Sequence, residues 1–140
     1  MDAEAFREAV RKLESSACPF APALLAGCAA CPIEQRVRVA EGERVLCRSP
    51  GNRNRCASLR EALQRHSAFA LGIRDPGASL THGRVLRMLC GGLRGLATAL
   101  GASHRDVRGL ADAAHRNGIG ELPWPEVIRA VSAYTSRRRR

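Results

Sequence analysis

The sequence predicts a mainly α fold of about five helices, with one short β-hairpin inside a cysteine-rich N-terminal half. Three observations carry this. Apolar residues recur at three- and four-residue spacing along most of the chain, strict alternation occurs in one place, and five of the six cysteines lie between Cys18 and Cys56. The 140 residues make one ordinary domain, and a 45% hydrophobic share suits a folded globule.

The first helix is predicted from Ala3 to Ser16, with Phe6, Val10 and Leu13 as its apolar stripe, acidic residues at its front and Arg11 and Lys12 near its end. Cys18-Pro19 ends it, because proline disfavours helical geometry in the residue before it. The apolar segment Phe20 to Ala26 leads to Gly27, which can take a left-handed turn. After the knuckle Cys28-Ala29-Ala30-Cys31-Pro32, the alternation Arg36, Val37, Arg38, Val39 and Arg44, Val45, Leu46 across Glu41-Gly42 predicts the hairpin. Cys47 ends its second strand. A helix is expected from near Asn54, with Cys56, Leu59, Leu63, His66, Ala70 and Ile73 on its buried stripe.

Arg74-Asp75-Pro76-Gly77 is the clearest break in composition and divides the expected organisation. Residues 1–73 form a cysteine-rich half that binds a metal or cluster, 74–136 a basic helical half, and Arg137 to Arg140 a solvated, disordered tail. In the second half, Leu86, Leu89, Leu93, Leu96 and Leu100 mark a helix whose Gly91, Gly92 and Gly95 permit close approach of another backbone. Ser103 and Asp106 resemble a cap for a helix bearing Val107, Leu110, Ala111 and Ala114, stopped at Asn117-Gly118. Leu122-Pro123-Trp124-Pro125 opens the last helix, with Val127, Ile128, Val131 and Tyr134 buried and Trp124 stapling it to the core.

The cysteines carry the chemistry. Their order is Cys18-x9-Cys28-x2-Cys31-x15-Cys47-x8-Cys56, with Cys90 alone inside a later helix as a small apolar residue. No run reaches the roughly 18 apolar residues of a membrane span, and Met1-Asp2-Ala3-Glu4 is acidic with no apolar stretch behind it. The expectation is therefore a cytoplasmic chain without membrane contact, where grouped thiols mean metal ligation more often than disulfides. Cys28 and Cys31 can offer two sulfurs from one turn of backbone, Cys47 returns to them through the hairpin, and Cys18 or Cys56 completes the set.

Zinc usually draws its ligands as two short-spaced pairs, and only one such pair exists here. An iron–sulfur cluster of 4Fe-4S type accepts thiolates from more scattered positions. Cysteine followed by proline, at Cys18-Pro19 and Cys31-Pro32, is similar to the last ligand of the bacterial ferredoxin run. That run has three closely spaced cysteines ahead of its Cys-Pro where this chain has one doublet, so the likeness stops at the dipeptide. The preferred ligand set is Cys18, Cys28, Cys31 and one of Cys47 or Cys56, with zinc as the alternative. Cys28→Ser or Cys31→Ser is expected to abolish metal content, and Cys90→Ser to leave it intact.

Charge shapes the expected partners. The chain carries 23 Lys+Arg against 13 Asp+Glu, net +10, of which residues 74–140 hold +7. Arg36, Arg38, Arg44, Arg48, Arg53 and Arg55 surround the cysteines, and positive charge nearby favours thiolates. Arg84, Arg87, Arg94, Arg105 and Arg108 would let the helical half dock on an acidic protein or on nucleic acid. At 4% aromatic residues, base stacking has little support. His66 reads as a core histidine, and His82, His104 and His115 have no cysteine near them in sequence. With no phosphate loop or nucleophile elbow, no independent enzyme site and no small-molecule substrate are expected. The expected function is electron transfer or redox sensing through an iron–sulfur cluster. The alternative is a zinc-stabilised nucleic-acid-binding module, or an accessory subunit of a larger complex.

Overall fold

The computed structural model describes residues 2–39, 42–75, 79–103 and 105–135. The Arg137 to Arg140 tail, His104 and part of the expected break at 74–77 lie outside the described residues. The fold is mainly helical with a two-stranded antiparallel hairpin, as the periodicity predicts.

Helix α1 (Ala3–Ser15) starts where the Asp2 side chain accepts the Glu4 N–H. It buries no residue fully and leaves Phe6 58% exposed. The chain then runs beside strand β2 (Gly42–Cys47): the Cys47 N–H donates to Ser16 O at 2.8 Å and the Cys18 N–H to Val45 O at 3.0 Å. Those two bonds set Cys18 next to the open end of the hairpin. Helix α2 (Ala21–Ala26) buries Ala23 and Leu24 and ends at Gly27, whose φ of 82° is the left-handed turn expected there. Strand β1 (Glu34–Val39) pairs with β2 from Val39↔Gly42 to Glu34↔Cys47, so Cys47 sits across from a residue three positions after Cys31.

Helix α3 (Pro50–Ser67) begins earlier than its apolar stripe suggests. The Ser49 side chain accepts the Asn52 N–H at 3.2 Å, and Pro50 fits the first turn, where its missing donor is no loss. The helix also ends sooner, closed by Gly72 at φ 70° and by the Ile73 N–H on Ala68 O at 2.8 Å. Cys56, Leu59 and Leu63 are buried as expected, but the inward face continues through Ala62 and Ser67, and His66 turns outward.

Helix α4 (His82–Leu86) passes through a π-turn (Arg87–Gly91) into α5 (Gly92–Leu100). Its glycines do bring backbones together. A Cβ on Gly91 would lie 2.8 Å from Val131 Cα, and one on Gly95 would lie 3.0 Å from Val127 Cα. Helix α6 (Val107–Asn117) is capped by Asp106, which takes the Gly109 N–H at 3.0 Å. Ser103, the other half of the expected cap, instead accepts the Arg105 N–H. A 3-10 turn (Ile119–Glu121) leads to α7 (Trp124–Ala133). There Trp124 donates to Ile119 O at 2.9 Å and stacks on the His66 ring at 4.1 Å.

One apolar cluster takes Phe20 and Leu24 from α2, Val45 from β2, Leu59 and Leu63 from α3, and Leu89, Leu93, Leu96, Leu110, Val127 and Val131 from the later helices. Residues on both sides of position 73 thus share a core, each fully buried side chain of this kind contributing about 1.5–3 kcal/mol.

Candidate metal centre

Four cysteines from four separate segments come to one neighbourhood. Cys18 arrives on the strand-like segment beside β2, Cys31 at the entry to β1, Cys47 at the end of β2, and Cys56 on the second turn of α3. Their side chains act on one another electrostatically in every pairing: Cys18 with Cys31 and Cys47, Cys31 with Cys47, and Cys56 with all three. Cys56 is 3% exposed, and the other three are half-buried.

Backbone amides point at these sulfurs. The Phe20 N–H serves Cys18 and the Ile33 N–H serves Cys31, each two residues after its cysteine. In both cases the residue between is proline, Pro19 or Pro32, which has no N–H of its own to compete. Cys31 also takes the Arg108 N–H at the start of α6, where unpaired amides favour negative charge. Helix α6 is fixed there by the Val107 N–H on Ala30 O at 2.9 Å. At the α3 side, Asn52 Nδ2 lies 4.0 Å from Cys47 Sγ and 3.8 Å from Cys56 Sγ.

Burial dominates the titration of the thiols. It pushes Cys18 up to about 11, against the lowering effect of the Phe20 amide, with the neighbouring Cys31 and Cys47 adding to the rise. Cys56 is pushed up to about 12 by burial and then by Cys18, Cys31 and Cys47, while Arg55 works the other way. Cys31 is raised by burial and lowered by its two amides. Cys18, Cys31 and Cys56 are therefore held toward their protonated forms, and a cation that binds them must displace those protons.

Cys28 departs from the expected ligand set. It forms a disulfide with Cys90, the two Cα atoms 5.9 Å apart across 62 residues of sequence. Cys90 is buried in the π-turn, as a small apolar residue would be, but it is bonded to the knuckle. Five candidates for four places left one over, and the even total of six cysteines was the signal that the spare one had a partner.

The arginines around the cysteines act mainly as staples. Arg53 donates to Ala17 O and Arg60 to Pro19 O, each at 2.8 Å, holding the segment that carries Cys18 on both sides. Arg36 bonds Glu34 at 2.6 Å and Leu24 O at 3.2 Å, and Arg55 pairs with Asp112 at 3.1 Å. In the helical half, Arg87 closes the end of α7 through Val131 O and Ser132 O.

Among the described residues, no group of three or more His, Cys, Asp or Glu side chains is arranged to hold a metal ion. The four thiols form a neighbourhood rather than a closed shell. The donor set is nonetheless all sulfur, which suits zinc or an iron–sulfur cluster and excludes the oxygen-loving cations. No protein family, curated protein or solved structure matches the chain. The sequence reading missed Asn52, which looks like an ordinary loop residue after Ser49-Pro50-Gly51, and the Arg108 amide, which reaches Cys31 only through tertiary packing.

Proposed function

We propose that Cys18, Cys31, Cys47 and Cys56 together hold an iron–sulfur cluster of 4Fe-4S type, and that the chain carries an electron or senses redox state. The observation that carries this reading is the meeting of four thiols, three backbone amides and one buried carboxamide in a single place. With Cys28 withdrawn, the set is Cys18-x12-Cys31-x15-Cys47-x8-Cys56, four ligands from four segments with no close pair. Zinc sites favour short-spaced pairs, whereas a cluster is wide enough to accept this spread.

The chain's own residues supply the environment. The amides of Phe20, Ile33 and Arg108 would offset thiolate charge, and Ser49 fixes the first turn of α3. A bound cluster would supply reversible one-electron chemistry. Arg108, whose N–H reaches Cys31, stands exposed in the first turn of α6, and Arg105 just ahead of that helix is exposed too, a place from which an acidic protein partner could dock.

Anaerobic reconstitution with ferrous iron and sulfide, followed by elemental analysis and visible absorption, tests this reading. Iron with matching sulfide and a brown colour is expected. Stoichiometric zinc alone selects a zinc-stabilised module, and no metal at all ends the proposal.

A further inference from the structure

We infer that Asn52 is a positioning residue of the sulfur centre: its side-chain amide donates N–H···S hydrogen bonds to Cys47 and Cys56 and so sets how readily a bound cluster accepts an electron. This rests on the proposed cluster reading and adds a residue that the cysteine pattern could not supply.

The local sequence frees this side chain for the task. Asparagine near a helix start ordinarily turns back to cap the backbone, but Ser49 already holds that place by accepting the Asn52 N–H at 3.2 Å. The carboxamide is left to point inward, where the residue is only 2% exposed. Its Nδ2 reaches both sulfurs, at 4.0 and 3.8 Å, while its Oδ1 has no hydrogen-bond partner among the described residues. A buried amide using one end only is a poor element of a core, where an apolar side chain of the same shape would fit with nothing unpaired. The end in use is the one aimed at sulfur.

A cluster-bound sulfur is a better acceptor for this amide than a thiol is. In the metal-free site Cys47 Sγ lies 3.3 Å from Ser49 O, a thiol donating to a carbonyl. A sulfur bonded to a cluster would have no proton to donate there, and Asn52 Nδ2, 4.0 Å from Cys47 Sγ and 3.8 Å from Cys56 Sγ, is the side-chain donor at hand. Donors to cluster sulfurs favour the more negative, reduced state, so removing one lowers the midpoint potential.

The test compares wild-type protein with Asn52→Leu, both reconstituted anaerobically with ferrous iron and sulfide. Asn52→Leu is expected to take up the same iron and sulfide, to show a more negative midpoint potential, and, metal-free, to melt no lower than wild type because the orphaned oxygen is gone. A potential equal to the wild-type value overturns the inference, and an unchanged potential with a lower melt assigns Asn52 a purely structural role. If the leucine variant fails to fold, the isosteric Asn52→Asp carries the same comparison, and there too an unchanged potential overturns it. A wild-type protein that takes up neither iron nor sulfide defeats the parent reading and this inference together. A wild-type protein that loads, with variants that match its potential, defeats this inference alone.

Discussion

The hairpin end of the molecule and the helices beyond residue 82 hold together by different physics. Of the two strands, only Val45 is fully buried. Around it the chain is tied by single hydrogen bonds, Arg53 to Ala17 O, Arg60 to Pro19 O and Cys18 N–H to Val45 O, and by one covalent link, the Cys28–Cys90 disulfide. In the helical part Met88, Leu89, Leu93, Leu96, Leu110, Val127 and Val131 are all at 0% exposure, and glycines let α5 and α7 touch backbone to backbone. A region built on apolar burial is complete as it stands. The hairpin end keeps four thiols near one another without closing them around anything.

Cutting the tie between the two regions should have the largest effect. Cys90→Ser, or Cys28→Ser, opens a loop of 62 residues, for which the chain-entropy relation gives a loss of about 4 kcal/mol, read from urea unfolding under oxidising conditions. Both variants should retain metal content, whereas Cys31→Ser should lose it. Equal metal loss in Cys28→Ser and Cys31→Ser would return Cys28 to the ligand set.

Next is Gly95→Ala in the packed region. The new methyl would sit 2.9 Å from Ala130 Cβ and 3.0 Å from Val127 Cα, and because backbone cannot yield as a side-chain tip can, a loss of about 1–3 kcal/mol is expected with metal uptake unchanged. Ser49→Ala acts at the other end. Removing the cap costs about 1 kcal/mol, and the midpoint potential of the loaded protein should become more negative, with iron uptake unchanged, because Asn52 loses its anchor.

The thiols give the hairpin end a pH dependence in the alkaline range. Cys18 and Cys56 have folded-state values of about 11 and about 12, above the ordinary 9.0, so the folded form holds protons that the unfolded form releases. Their contribution is whole below pH 9 and is lost as pH rises toward 12, so the metal-free protein should unfold at lower urea at pH 10.5 than at pH 8. Metal uptake should run the opposite way and tighten as pH rises.

The smallest expected effect lies where α3 meets α7. Burial, with Arg65 second, holds His66 below its ordinary value of 6.5, so the unfolded chain protonates first and stability declines slightly as pH falls through that range. Trp124, stacked on His66 at 4.1 Å, should report the protonation as a fluorescence change that His66→Ala removes. A pH-independent signal in the wild type would show that the stack does not feel the imidazole charge.

Much of the framework was legible from short stretches of chain. The alternation at Arg36–Val39 gave the hairpin, Gly27 and Gly118 marked helix ends, and Gly91 and Gly95 announced close packing before its partner was known. Helix α3 starts at Pro50, ahead of its apolar stripe, because Ser49 caps it and Pro50 fits the first turn. His66 was placed inward by spacing alone, and a small rotation of the helix gave its position to Ser67.

What the sequence by itself determined is therefore local: that five of the six cysteines lie between Cys18 and Cys56, and where helices and strands form. These depend on periodicity, caps and turn residues within a few positions of one another. The sorting of the cysteines was decided only by the tertiary structure. Cys28 meets a partner 62 residues away, Cys31 meets an amide at Arg108, and Asn52 is buried against two sulfurs because α3 crosses the hairpin end. Spacing along a chain fixes which groups are neighbours in one turn, but packing of the whole core fixes which groups face each other across space.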